Sequence, residues 1–183
     1  VLDENFLTKM IHKKHIFLIG PMGAGKTTIG KHLAKHMEVP FFDIDNEVIK
    51  ATGADIPWIF DVEGEIGFRS RESKALKSVS EIDSPAVIST GGGIILAEDN
   101  RRFMKNNGFI VYLYVNENQL YERLKKDKKR PLLQVGDRKK LIANLFHERD
   151  PLYKSIADII YTPRSLQLKK VIPELFDKIS KRE

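Results

Sequence analysis

Short apolar runs alternate with longer amphipathic stretches along this chain. Ile16–Ile19 is four apolar residues in succession, too short for a helix and dense enough for a buried strand. Thr28–Met37 then places Ile29, Leu33, Ala34 and Met37 at helical spacing. Phe41 and Phe42, continuing into Asp43-Ile44-Asp45, read as a second short strand that ends in acids. Glu47–Lys50, Pro57–Phe60 and Glu65–Ser80 read as helical, since a proline is tolerated near a helix start. Ala86–Ser89 is a third strand and Asp99–Asn107 a helix. Phe109–Val115 is a fourth strand, rich in β-branched and aromatic residues. Glu117–Lys128 and Arg138–Asp150 read as helices, Ile159–Tyr161 as a fifth strand, and Ser165–Lys181 as a closing helix. Strands that alternate with helices predict a parallel sheet with helices on both faces. No Pro/Ser-rich linker or internal repeat divides residues 1–183, so a single α/β domain is expected.

Composition narrows the class. A chain of 183 residues, 42% hydrophobic and 31% charged, fits an ordinary soluble globular domain. It has no cysteine, which excludes disulfides, thiolate metal sites and a cysteine nucleophile. No apolar run approaches the ~20 residues of a membrane helix, and Val1–Lys14 lacks the form of a signal peptide. A cytoplasmic location without membrane contact is therefore expected. The net charge of +6 is local. Lys125–Lys140 holds eight basic residues and two Asp, and outside it basic and acidic residues balance at 23 each. That segment reads as a solvated basic loop or as one that meets phosphates.

The candidate chemistry begins at GPMGAGKTT. Gly20, Gly25, Lys26 and Thr27 satisfy G-x-x-x-x-G-K-[ST], with a strand before and a helix after. Bare amides at a helix start, aided by the helix dipole, point at one concavity, and side chains there would keep a phosphate out. Lys26 has the reach for the β/γ-phosphates and Thr27 a hydroxyl for Mg²⁺. The motif is strong for nucleoside triphosphate binding and does not separate a kinase from an ATPase or GTPase.

Further candidates follow. Ligands of open parallel sheets sit beyond the carboxyl ends of the strands, which places Asp43 and Asp45 near the phosphates. Alternation in an extended segment would set both on one face. One carboxylate could hold Mg²⁺ through water and the other orient or deprotonate a hydroxyl; helix capping is the plainer role. Thr90-Gly91-Gly92-Gly93 ends the third strand at the same rim and suits either a close backbone approach or a flexible turn. Arg69 offers a fork for a carboxylate or phosphate, or else a surface pair with Glu72 at i,i+3. Arg130, within the basic segment, could neutralise a transferring phosphoryl group or belong simply to a solvated basic loop. Arg149 precedes Pro151, a helix-breaking residue, and could simply complement a helix dipole.

Taken in order, GPMGAGKTT, FFDIDNEV, TGADIPWIFDVEGEIGFRSRE, STGGG, RPLL and RDPLY resemble the shikimate kinase family. They span Gly20 to about Tyr161, and the stretch Thr52–Glu72 is the discriminating piece. The resemblance implies a P-loop NTPase fold of the nucleoside-monophosphate-kinase kind: a three-layer sandwich with a five-stranded parallel sheet flanked by helices. It further implies a monomer, a shikimate-binding helical region at about 44–72 and a mobile lid at about 125–140. The implied activity is transfer of the γ-phosphate of ATP to the 3-hydroxyl of shikimate, with Mg²⁺. Gly23, Ala24, Gly25, Lys26, Thr27 and Thr28 would hold the triphosphate, with Arg130 beside Lys26 on the transferred group and Arg123 on adenine. Thr27 and Asp43 would hold Mg²⁺. Lys26, Asp45 and Arg130 would be catalytic. Asp45, Arg69 and Arg149, the backbone of Gly91, Gly92 and Gly93, and the rings of Phe60 and Phe68 would bind shikimate. The nearest alternative is a P-loop kinase acting on gluconate or a nucleoside. A GTP switch is disfavoured because no N-K-x-D motif occurs. A nucleic-acid module would leave the loop, the aspartates and the glycines unexplained.

Overall fold

The computed structural model describes residues 15–125, 137–163 and 167–181. Five strands form one sheet: β1 (His15–Ile19), β2 (Phe41–Asp43), β3 (Ala86–Ser89), β4 (Gly108–Leu113) and β5 (Ile159–Tyr161). Their order is β2-β3-β1-β4-β5, and every adjacent pair is parallel. The described helices are α1 (Lys26–Met37), α2 (Ile44–Thr52), α3 (Ile56–Val79), α4 (Glu98–Asn107), α5 (Glu117–Leu124), α6 (Arg138–Ile156) and α7 (Leu168–Ser180). A 3₁₀ turn, Ile94–Leu96, follows the glycines after β3. Among the described residues no helix is long and apolar enough to cross a membrane.

Side-chain alternation divides the core into two layers. Ile16 and Leu18 of β1 join Val87 and Val111 on one face, under Leu33 of α1 and Leu175 of α7. Phe17 and Ile19 join Ile88, Ile110 and Tyr112 on the other, under Ile59 and Leu76 of α3, Met104 of α4 and Tyr153 of α6. A sheet buried on both faces explains why β1 and β4 read as unbroken apolar runs.

Two expectations are corrected. Asp43-Ile44-Asp45 is not an extended end to β2. The strand stops at Asp43, whose side chain accepts from the Asn46 amide and caps α2, so Asp45 lies in the first helical turn. The capping bond wins because the first amides of a helix need an acceptor. Pro57–Phe60 and Glu65–Ser80 lie, as expected, on two helical segments, labelled together as α3, which meet at a kink at Gly64, where φ is 70° and ψ −177°. Pro151 does not end its helix: α6 runs on to Ile156. Burial of Arg149, Tyr153 and Ile156 on either side of Pro151 holds the helix against the core and outweighs the hydrogen bond the proline cannot make.

Candidate active site

The loop from β1 to α1 supplies the first wall. Gly25 caps α1 with φ 92°, a left-handed value that suits glycine. Lys26 is only 8% exposed, and its Nζ donates to the carbonyls of Gly20 at 2.7 Å and Pro21 at 2.9 Å. The ammonium is thus folded back over its own loop, at the start of α1. Thr27 donates from Oγ1 to Asp43 Oδ2 at 2.7 Å. Arg123 of α5 donates to the Gly23 carbonyl at 2.9 Å, on the outer side of the loop.

These residues open onto a cavity of about 320 Å³. Its lining comes from three strand ends: Gly23, Gly25 and Lys26–Thr28 after β1, Asp43 and Asp45 after β2, and Thr90–Gly92 after β3. Ala24, also expected at the triphosphate, is buried within the loop and packs in the hydrophobic core. Asp45 reaches the cavity from a helix rather than from an extended strand, so proximity survives although the alternation expected to give it does not.

The glycines after β3 are required by what presses on them. A Cβ on Gly91 would lie 2.1 Å from Glu72 Oε1 and 3.1 Å from Asp45 Oδ1. A Cβ on Gly93 would lie 2.1 Å from an Arg69 guanidinium nitrogen. The turn is therefore a close-approach surface, not a flexible link. Arg69 donates to Glu72 Oε2 at 2.8 Å and to Glu65 Oε1 at 2.9 Å. The i,i+3 pair exists, but Glu72 is completely buried, so it is not a solvated surface pair. Phe68 is buried beside Phe60 with ring centroids 4.8 Å apart, and the Arg69 guanidinium carbon lies 5.3 Å from the Phe68 ring centre.

Arg149 sits well inside α6 and is only 6% exposed, which rules out a role as a helix-end charge. Its Nε and Glu72 Oε1 are both buried without a hydrogen-bond partner among the described residues. Glu72 feels Arg69, Asp45 and Arg149 at once. Burial pushes its carboxyl up to about 7, with the Asp45 charge adding and the two arginines opposing. Buried polar atoms of this kind mark a place where a bound molecule completes the bonding.

Glu72 and Tyr153 are two residues the motifs did not single out for a role. Tyr153 donates its hydroxyl to the Gly92 carbonyl from a fully buried ring. Its signals in the sequence are its place at the end of RDPLY and its position four residues after Arg149, on the same helical face. Arg130 lies outside the described residues, as does the expected lid except for its ends. Among the described residues no cluster of three or more His, Asp or Glu side chains is placed to hold a metal ion. The adjacent Thr27 hydroxyl and Asp43 carboxylate are hard oxygen donors of the type Mg²⁺ takes when phosphates and water complete its shell.

The shikimate kinase family model matches residues 22–180. A shikimate kinase of Hahella chejuensis is 49% identical over 89% of this chain and 84% of its own length. The structure of shikimate kinase from Acinetobacter baumannii in complex with shikimate superposes with a TM-score of 0.88 at 39% identity, covering 96% of this chain and 98% of that one. A gluconokinase from Sinorhizobium meliloti superposes less closely, with a TM-score of 0.61 at 17% identity over 93% of each chain, and shares the fold. The chain belongs to the shikimate kinase family.

Proposed function

We propose that the protein transfers the γ-phosphate of ATP to the 3-hydroxyl of shikimate, with the residues named above in their expected roles. One observation carries the residue assignment: the phosphate loop, Asp45 and two arginines converge on the Gly91–Gly93 turn at one rim of the sheet. The loop amides and Lys26 hold the triphosphate. Arg69 and Arg149 grip the acceptor's carboxylate, Phe60 and Phe68 wall its ring, and the turn after β3 meets it with backbone. Binding energy spent on that remote carboxylate aligns the hydroxyl for attack. The hydroxyl oxygen bonds to the γ-phosphorus as the bond to the ADP oxygen breaks, and the hydroxyl proton passes to Asp45. Lys26 and Arg130 stabilise the charge on the transferring group. Thr27 and Asp43 would hold Mg²⁺, which neutralises phosphate charge when bound. Arg123, exposed beside Gly23, is left to face the adenine side.

The test is ADP release from ATP and Mg²⁺ with shikimate, gluconate or a nucleoside, or with no acceptor. Release is expected with shikimate alone. Equal release with gluconate or a nucleoside would reassign the acceptor, and release without any acceptor would make the protein an ATPase.

A further inference from the structure

The expected shikimate contacts include the peptide backbone of the turn after β3. Within that turn the carbonyls of Gly91 and Gly93 accept from the amides of Ile94 at 3.3 Å and Leu96 at 3.1 Å, whereas the Gly92 carbonyl between them is held from outside the turn. Tyr153 is 1% exposed, and its ring packs on Tyr112 of β4 with centroids 4.9 Å apart and planes tilted by 30°. Its hydroxyl donates to the Gly92 carbonyl. A Cβ on Gly92 would lie 3.6 Å from that hydroxyl and 3.3 Å from the Met22 amide nitrogen. The phosphate loop, the glycine turn and α6 therefore meet at this one peptide.

Because the peptide unit is planar, fixing the Gly92 carbonyl also fixes the direction of the Gly93 N–H, which points the opposite way. Arg69 presses on Gly93, and Arg149 lies one helical turn before Tyr153. Burial pushes the phenol well above its ordinary value, Glu72 helping and Arg149 opposing, so the hydroxyl keeps its proton and donates throughout the working pH range.

We infer that Tyr153 is a positioning residue for the acceptor: it aims the Gly92–Gly93 peptide and ties that peptide to the helix that carries Arg149. This rests on the proposed function, deepens it, and assigns Tyr153 no contact with the reacting atoms.

The experiment compares wild type with Tyr153→Phe, which keeps the ring and its packing on Tyr112. The shikimate KM is expected to rise about five- to tenfold, the equivalent of one net hydrogen bond. The ATP KM should stay within about twofold. Replacement of Tyr153 by 4-aminophenylalanine, which restores a donor, should return the shikimate KM most of the way. Tyr112→Phe is the control, since it removes a hydroxyl of the same kind that donates to Asp150 Oδ1 at 2.9 Å. It should leave the shikimate KM unchanged. Unchanged KM values in Tyr153→Phe overturn the inference, as do an equal rise for both substrates, failure of the amino analogue to rescue, or an equal effect in Tyr112→Phe. If Tyr153→Phe does not fold, 3,5-difluorotyrosine at 153 must shift the shikimate KM and not the ATP KM, and no shift overturns the inference. If wild type itself does not phosphorylate shikimate, the proposed function falls and the inference with it; a normal wild type beside an unaltered variant removes the inference alone.

Discussion

Glu72 is enclosed between Arg69 and Arg149, with Asp45 across the Gly91 backbone. Burial raises its carboxyl from 4.5 to about 7, so in that range the folded protein holds a proton that the unfolded chain has lost. Folding stability therefore falls as pH rises from about 4.5 to about 7. The fall should amount to as much as about 3 kcal/mol, because each pH unit is worth about 1.4 kcal/mol. Urea unfolding across that range should show it in wild type and not in Glu72→Gln; parallel curves would contradict it. Lys26 is a different case. Its ammonium rests on two loop carbonyls, and its proposed role concerns charge that develops only during transfer. Lys26→Ala should lower kcat by about 10²–10³ while the shikimate KM moves little. A kcat near the wild-type value would remove Lys26 from catalysis. The spacing of Arg69 and Glu72 was legible along the chain as a pair. Its burial was not, because burial depends on Gly91 and Gly93, some twenty residues away, lying against both side chains.

Helix α3 shows what pattern reading captures and loses at the next scale. Its two halves were legible as helical segments, with Pro57 near the start of the first. What joins them was not, because Gly64 takes a backbone conformation (φ 70°, ψ −177°) that is almost confined to glycine. The kink is braced. Arg71 forms two hydrogen bonds across it to Glu63, at 2.7 and 2.6 Å. A Cβ on Gly67 would meet the Glu63 side chain at 2.4 Å, so Gly67 leaves room for the brace. Phe60 precedes the kink, and Phe68 and Arg69 follow it. Its angle therefore sets the distance between the proposed ring wall and the proposed carboxylate clamp. Gly64→Ala should cost about 1–3 kcal/mol and raise the shikimate KM more than the ATP KM. Equal changes in the two constants would mean that the kink serves stability alone. Helix α6 teaches the converse: a proline marks a helix end only when nothing else holds the helix, and here buried side chains on both sides do.

At the scale of the molecule, strand order assembles the cavity. Sequence pattern gives five strands and their parallel sense, but not that β3 inserts between β1 and β2. That insertion brings the ends of β1, β2 and β3 side by side and lets segments 20–28, 43–45 and 90–92 share one space. The phosphate loop on one side and the arginine clamp on the other should then load separately. A ligand at about 100 times its Kd stabilises by about 2.7 kcal/mol. In a chain of this length each kcal/mol raises Tm by about 2–4 °C, so ADP or shikimate alone should raise Tm by about 5–11 °C. Arg69→Ala should lose the shikimate shift and keep the ADP shift, because its guanidinium sits against Gly93 and does not line the loop. Lys26→Ala should weaken the ADP shift and keep that of shikimate. Loss of both shifts in either variant would mean that the two subsites form one cooperative unit, and that strand order alone does not keep them apart.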